Sequence, residues 1–352
     1  EQWIKIKAEN IKTYKYHFKS FINWNGEIPE KLPYKESQYL KHLTLDEYLK
    51  FVGFYLSEGG LKIYKEVING VHVSQSENSP CFKEIKEIFY KVANSKHVTE
   101  HIDGRRKFDN YQFTINNSDF GREIVPIYGK NSIEKKIPKW MLNLPIEKLI
   151  IFLKALMDGD GNARKSPNGH KRHKYTTDSK TLADQIQEIV FKIGFAPSIS
   201  INKSIAKERN DVYIVYWSDL SKETNRTITP SRNIKKVAYA GKVWCFTVPN
   251  GYFITRRNGK IGIHGNSGKI LQVQPEYEHL DQEILDGLMI NKALLNGEGP
   301  TYCFSDDTRI LTNNGLKYRQ NINKEKDLVA TYNKEKDTFE YQKINKFFEY
   351  DW

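Results

Sequence analysis

The chain has 352 residues and a net charge of +12, and its cysteines, Cys81, Cys245 and Cys303, are too few and too scattered for a disulfide framework or a zinc site. No signal peptide and no apolar run of membrane-spanning length appears, so a soluble protein in a reducing, cytoplasmic or phage/prokaryotic intracellular setting is expected. Residues 267–302 hold two lysines against six acids and residues 303–352 nine basic against nine acidic residues, which leaves +16 on residues 1–266 and makes nucleic acid the expected partner of that part.

Two stretches in the basic part share one pattern. YLKFVGFYLSEGG (Tyr48 to Gly60) and FLKALMDGDGNA (Phe152 to Ala163) are each an apolar helix pattern closed by an acid and a glycine. A carboxylate at the C-terminal end of a helix faces the negative end of the helix dipole and needs a cation nearby, and here the arrangement occurs twice, at Glu58 and Asp160. The sequence beyond each helix repeats as well. GVHVSQSENSPCFKEIKEIFYKVAN (from Gly70) and HKYTTDSKTLADQIQEIVFKIGF (from His173) each read as strand, polar turn and amphipathic helix, and FDNYQFTINN (from Phe108) and DVYIVYW (from Asp211) add alternating strands. Basic residues gather at Arg105, Arg106 and Lys107 in an expected hairpin, and at Arg164, Lys165, Lys171, Arg172 and Lys174 beyond the second helix. Singly, each fits a solvated charged face equally well.

The paired helices resemble the LAGLIDADG helices of homing endonucleases. The resemblance implies an α+β, pseudo-twofold monomer of two αββαββα repeats. Glu58 and Asp160 fall at its metal-binding acids, Gly53 and Ala155 at its small packing positions, and Gly59 and Gly161 at its closing glycines. Asp158 matches the earlier acid of the motif whereas Leu56 does not. Mg²⁺ is the implied cofactor, shared with the scissile phosphates of double-stranded DNA that has a long recognition site. The stretch EKKIPKWMLNLP (from Glu134) is similar to the segment preceding the second helix in intein endonucleases, which makes Lys135 the implied active-site lysine, with Lys136 as its rival. Lys235 or Lys236 is its implied pseudo-symmetric partner.

Farther along, VWCFTVPNGYFITRRNGKIGIHGNS (Val243 to Ser267) reads as two or three short strands separated by Pro-Asn-Gly and Asn-Gly turns. It ends in His264, Gly265, Asn266 and Ser267. An Asn amide can attack its own carbonyl to form a succinimide, and the Ser267 hydroxyl can accept an acyl group. CFSDDTRILTNNGLKY opens on Cys303, whose thiol can take the preceding acyl group. These two segments resemble the C-terminal and N-terminal splicing regions of inteins, which implies an all-β HINT-type splicing domain. Cys245 stands where that family commonly has Asp or Cys, and a merely buried residue is the competing reading for Cys245 and Cys303 alike.

The expected division is 1–35 as a splicing-domain or linker segment, 36–228 as the endonuclease, 229–266 as the C-terminal splicing segment, 267–302 as host extein, and 303–352 as the N-terminal splicing segment. Because Asn266 precedes Cys303, two accounts fit: a fragment spanning the back of one intein and the front of another, or a circularly permuted intein whose product is a cyclised 36-residue peptide. Gly265 takes the place of the usual penultimate His, so His264 is the candidate proton donor. The Thr-x-x-His segment that activates the first scissile bond is missing after Cys303, so cleavage there is expected to be impaired. The alternative is a freestanding LAGLIDADG endonuclease or an RNA-binding, maturase-like protein without splicing.

Overall fold

The computed structural model describes residues 4–6, 16–94, 98–103, 109–165, 167, 169–204, 210–222, 226–228, 240–265, 268–272 and 304–351. They form two compact units, one of residues 24–193 and 197–219, the other of residues 1–23, 194–196 and 220–352. Two short strands, β1 (Ile4–Ile6) and β2 (Tyr16–Phe18), belong to the second unit.

The first unit opens with Trp24, whose indole N–H donates to Leu144 O at 2.8 Å, and Tyr34, stacked on Tyr48 with ring centroids 4.0 Å apart. Residues 24–35 thus pack with the first unit. Helix α1 (Leu45–Glu58) begins at a capping box in which Thr44 and Glu47 exchange side-chain and main-chain hydrogen bonds. It leads into β3 (Gly59–Tyr64), β4 (Val67–Ser76), α2 (Phe82–Val92), β5 (Val98–Asp103), β6 (Asn110–Ile115) and α3 (Ser118–Tyr128). The same order recurs in α4 (Ile146–Asp160), β7 (Asn162–Lys165), β8 (Lys171–Thr177), α5 (Lys180–Lys192), β9 (Ser198–Asn202) and β10 (Val212–Ser218). The strand orders correspond: β3-β4-β6-β5 in the first copy and β7-β8-β10-β9 in the second. After β10 the described residues make one 3-10 turn, Asp219–Ser221, where the repeat would call for a closing helix; residues 229–239 lie outside the description.

Close packing of α1 on α4 explains why small residues punctuate both. A Cβ added at Gly53 would sit 2.7 Å from Ala155 Cβ and 2.9 Å from Leu156 N, and one at Gly159 would collide with Ser57 Oγ. The closing glycines answer a different constraint, the last turn of their own helix. Gly59 and Gly161 keep negative φ, −89° and −76°, so no left-handed cap requires them; a Cβ at Gly59 would meet Tyr55 O at 2.5 Å, and one at Gly161 would strike Met157 O. The cores are apolar: Ile85, Phe89 and Phe113 in the first copy and Leu182, Ile186 and Val215 in the second are fully excluded from solvent.

Among its described residues the second unit is built of strands and turns, apart from the 3-10 turn Arg319–Asn321 and the end of the one at Asp219–Ser221. After β11 (Arg226–Ile228) it comprises β12 (Lys242–Thr247), β13 (Tyr252–Arg257), β14 (Lys260–Gly265), β15 (Gly268–Gln272), β16 (Phe304–Ser305), β17 (Arg309–Thr312), β18 (Gly315–Tyr318), β19 (Val329–Asn333), β20 (Thr338–Gln342) and β21 (Lys346–Asp351). The turns fall at the glycines: Gly251 (φ 69°) precedes β13, and Asn258 (φ 49°) with Gly259 (φ 69°) joins β13 to β14. Residues before and after the 267–302 stretch share one core. Trp244, Phe246, Val248 and Phe253 pack with Ile310, Val329 and Ile344. Strand β12 pairs with β16 and along the whole of β21, while β13 pairs with β17 and β19.

Candidate active site

The ends of α1 and α4 carry the two acids. Gly159 lies against Ser57 and Glu58, its added Cβ 3.1 Å from Glu58 Cγ, so the chain turns out of both helices at one place. Burial and, after it, the Asp160 charge push the Glu58 carboxyl up to about 7, against the opposite pull of Lys135 and the Gln75 amide. Burial raises Asp160 as well, against the pull of Lys135. Lys135 completes the group: its ammonium donates to Ser57 O at 3.2 Å, and burial lowers its pKa while both carboxylates favour its charge. Lys136, its rival, donates its backbone N–H to Tyr128 O at 3.0 Å. Asp158 is held in an ion pair with Lys154 at 2.8 Å.

Three neighbours escaped the sequence reading. Gln75 Nε2 donates to Glu58 Oε1 at 3.5 Å, reaching it from β4. Val71, Val73 and Gln75 share one face of that strand, so an apolar alternation ending in an amide was the available signal. Tyr175 on β8 is buried close enough that both acids raise its phenol pKa, and Lys135 helps to lower that of His72. Their places depend on tertiary packing that spacing does not encode.

Two neighbouring acids, Glu58 partly buried and Asp160 more exposed, whose protonated forms are favoured, suit a divalent cation. Among the described residues no three His, Cys, Asp or Glu side chains gather as a complete cage. The pair fits a hard ion that completes its shell with water and phosphate oxygens, as Mg²⁺ does.

A pH dependence results. With its folded pKa above the ordinary 4.5, Glu58 binds its proton more tightly folded than unfolded, so its contribution to stability is full below pH 4.5 and is lost as pH rises through about 7. In chelator at pH 8, Glu58→Gln is therefore expected to stabilise the protein by about 1–2 kcal/mol, after discounting for solvent screening, and to have little effect at pH 4. Urea melts at the two pH values check this; no gain at pH 8 contradicts it.

The basic residues of the second copy sit on β7 and β8, exposed, with Arg164 paired across from Arg172 and Lys165 across from Lys171. Like charges directly opposite one another destabilise a sheet unless a polyanion lies against them. Lys174 is exposed opposite Asn162. Arg105, Arg106 and Lys107 lie outside the described residues, between the paired ends Asp103 and Asn110 of β5 and β6.

In the second unit Asn266, Ser267, Cys303, Lys235 and Lys236 lie outside the described residues. Their neighbours are described. Gly265 pairs with Gly268, and the His264 ring stands edge-on to Phe304, the residue after Cys303, with centroids 5.4 Å apart. Cys245 is a buried cysteine on β12, opposite Phe348 of β21. No helix among the described residues is long and apolar enough to cross a membrane.

Comparison with known proteins gives three findings. Residues 147–239 match the family model of a LAGLIDADG-like domain. Short stretches resemble a DNA gyrase subunit of Mycobacterium kansasii (34% identity over 68 residues, 19% of this chain and 12% of the gyrase), ribonucleoside-diphosphate reductase subunit beta of Aquifex aeolicus (30% over 115 residues, 33% and 16%) and replicative DNA helicase DnaB of Nostoc (30% over 91 residues, 25% and 10%). The chain thus spans 10–16% of the length of these relatives. Among solved structures, variants of the homing endonuclease I-DmoI align at 12% identity and a TM-score of 0.35, covering 50% of this chain and 90% of theirs; I-WcaI bound to its DNA recognition sequence aligns at 15% and 0.35, covering 55% and 84%. Residues 147–239 of this α+β chain are thus similar to a LAGLIDADG-like domain.

Proposed function

We propose that the first unit is a site-specific, divalent-cation-dependent DNA endonuclease. The observation that carries this reading is the meeting of Glu58, Asp160 and Lys135 where two packed helices end. Glu58 and Asp160 would hold the cation, with Gln75 orienting the Glu58 carboxylate. Bound there, Mg²⁺ would supply charge stabilisation at the scissile phosphate. Lys135 offers a further positive charge to the developing phosphate oxyanion. Incubation with a plasmid library of randomised inserts, with Mg²⁺ or with chelator, tests the activity: linear product only with Mg²⁺ supports it, and intact plasmid under both conditions sinks it.

The like-charged pairs on β7 and β8 support a duplex on that face. Neutralising both Arg164 and Arg172 to Gln is expected to weaken DNA binding and to flatten the slope of log affinity against log salt by roughly one unit per lost phosphate contact. The free protein should be no less stable, since a repulsion is removed. An unchanged salt slope would take these arginines out of the interface.

A second activity, protein splicing, is favoured by a separate observation. Strands from residues 242–265 and 304–351 interleave in one all-β unit, so segments flanking Asn266-Ser267 and Cys303 belong to a single fold. Short matches to a gyrase, a reductase and a helicase are also what an inserted element gives. On this reading Asn266, Ser267 and Cys303 perform the bond exchanges, His264 donates a proton, and Cys245 tunes that transfer.

A further inference from the structure

Lys135 stands in a stretch, residues 135–138, that has no helix or strand to fix it. Its main chain is held instead from α5. Ser179, the N-cap of that helix, donates its hydroxyl to Lys135 O at 2.6 Å. Two turns on, the Gln185 side chain accepts from the Ile137 N–H at 2.7 Å and donates to Ile137 O at 2.8 Å. At the far end, Lys192 Nζ donates to Leu142 O at 2.8 Å. The amide of Gln185 therefore pairs with Ile137 as a neighbouring strand would, satisfying both polar groups of one residue. Only an amide offers a donor and an acceptor side by side.

The fold does not demand this. Aligning Ile85 and Ile88 of α2 with Ile186 and Ile189 of α5 puts Glu84 at the place of Gln185 and Lys91 at the place of Lys192. In the first copy these two make surface ion pairs, Glu84 with Lys50 and Lys91 with Glu47. The second copy turns the same positions inward onto the segment bearing Lys135. We infer that Gln185 is a positioning residue that, together with Ser179, fixes the Lys135 ammonium at the two carboxylates. The inference rests on the nuclease reading above for its catalytic consequence, and on geometry alone for the placement of Lys135.

The test separates the two. In the full chain, pulse acylation of lysines read by mass spectrometry reports how well Lys135 is held, whatever the enzyme does. Gln185→Met, close in size and without either hydrogen bond, is expected to label Lys135 about tenfold faster relative to the exposed Lys31, a loss of order that 1 Å of misplacement would produce. Where Gln185→Met does not fold, Gln185→Glu, which keeps the acceptor but sets a carboxylate against Ile137 O, gives the same direction of change. Single-turnover cleavage should fall about 10–100-fold with DNA affinity within about twofold, and Gln185→Met should cost nothing further in a Lys135→Met background. Unchanged labelling of Lys135, or an equal cleavage loss with and without Lys135, overturns the inference. Faster labelling in a protein whose wild type cuts no duplex would instead leave the placement standing and overturn the nuclease reading.

Discussion

Glu58→Gln and Asp160→Asn are each expected to lower Mg²⁺-dependent double-strand cleavage by about 10³-fold or more while leaving DNA binding in chelator unchanged or tighter. The asymmetry between cutting and binding comes from what each substitution removes. Both keep the shape of the side chain, so the packing of Gly159 on Ser57 and Glu58 survives. Both take one negative charge from a site that would face phosphate. Glu58 keeps its Gln75 contact only as an amide, which has lost the charge a cation needs. Cleavage assays at saturating DNA, paired with binding measured in chelator, check the result. Variants that bind and cut like the wild type would show that the paired acids do not hold the metal.

Asn266→Ala is expected to abolish scission of the chain between residues 266 and 267. In that step the Asn266 side-chain amide nitrogen attacks its own main-chain carbonyl carbon, a succinimide closes, and the Asn266–Ser267 peptide bond breaks to leave Ser267 as a free amine that takes a proton. His264 is half-buried beside Phe304, which suits an imidazole delivering that proton, and His264→Ala should slow the step by about 10²-fold. Ser267→Ala should stop ligation and permit cleavage. Mass spectrometry of the incubated protein decides: a fragment ending in succinimide or Asn at 266 agrees, whereas unchanged scission in Asn266→Ala contradicts the mechanism.

The parts of this architecture that rest on local pattern were open to reading. An apolar run closed by Glu-Gly or Asp-Gly marked α1 and α4, and the turn signals at Asn250-Gly251 and Asn258-Gly259 separated β12, β13 and β14. Closing glycines were legible, although their reason was not: the expected helix stop proved to be a close-approach constraint against Tyr55 and Met157. Thr44 and Glu47 carried a capping box that placed the start of α1 three residues before the apolar pattern at Tyr48. What spacing could not supply were contacts between distant positions. Gln75 meets Glu58 across 17 residues, Lys135 meets Ser57 across 78, and Gln185 meets Ile137 across 48. Each belongs to a polar side chain that looks like surface composition until a sheet or helix turns it inward.

Sharing of a divalent cation by Glu58 and Asp160 at the base of the paired helices can be seen in an anomalous-scattering map from crystals of the full chain grown with Mn²⁺. A peak is expected between the two carboxylates, about 2.1 Å from an oxygen of each, and it should vanish in Glu58→Gln. A map without density there, from protein that still cuts DNA with Mn²⁺, would refute the shared cation.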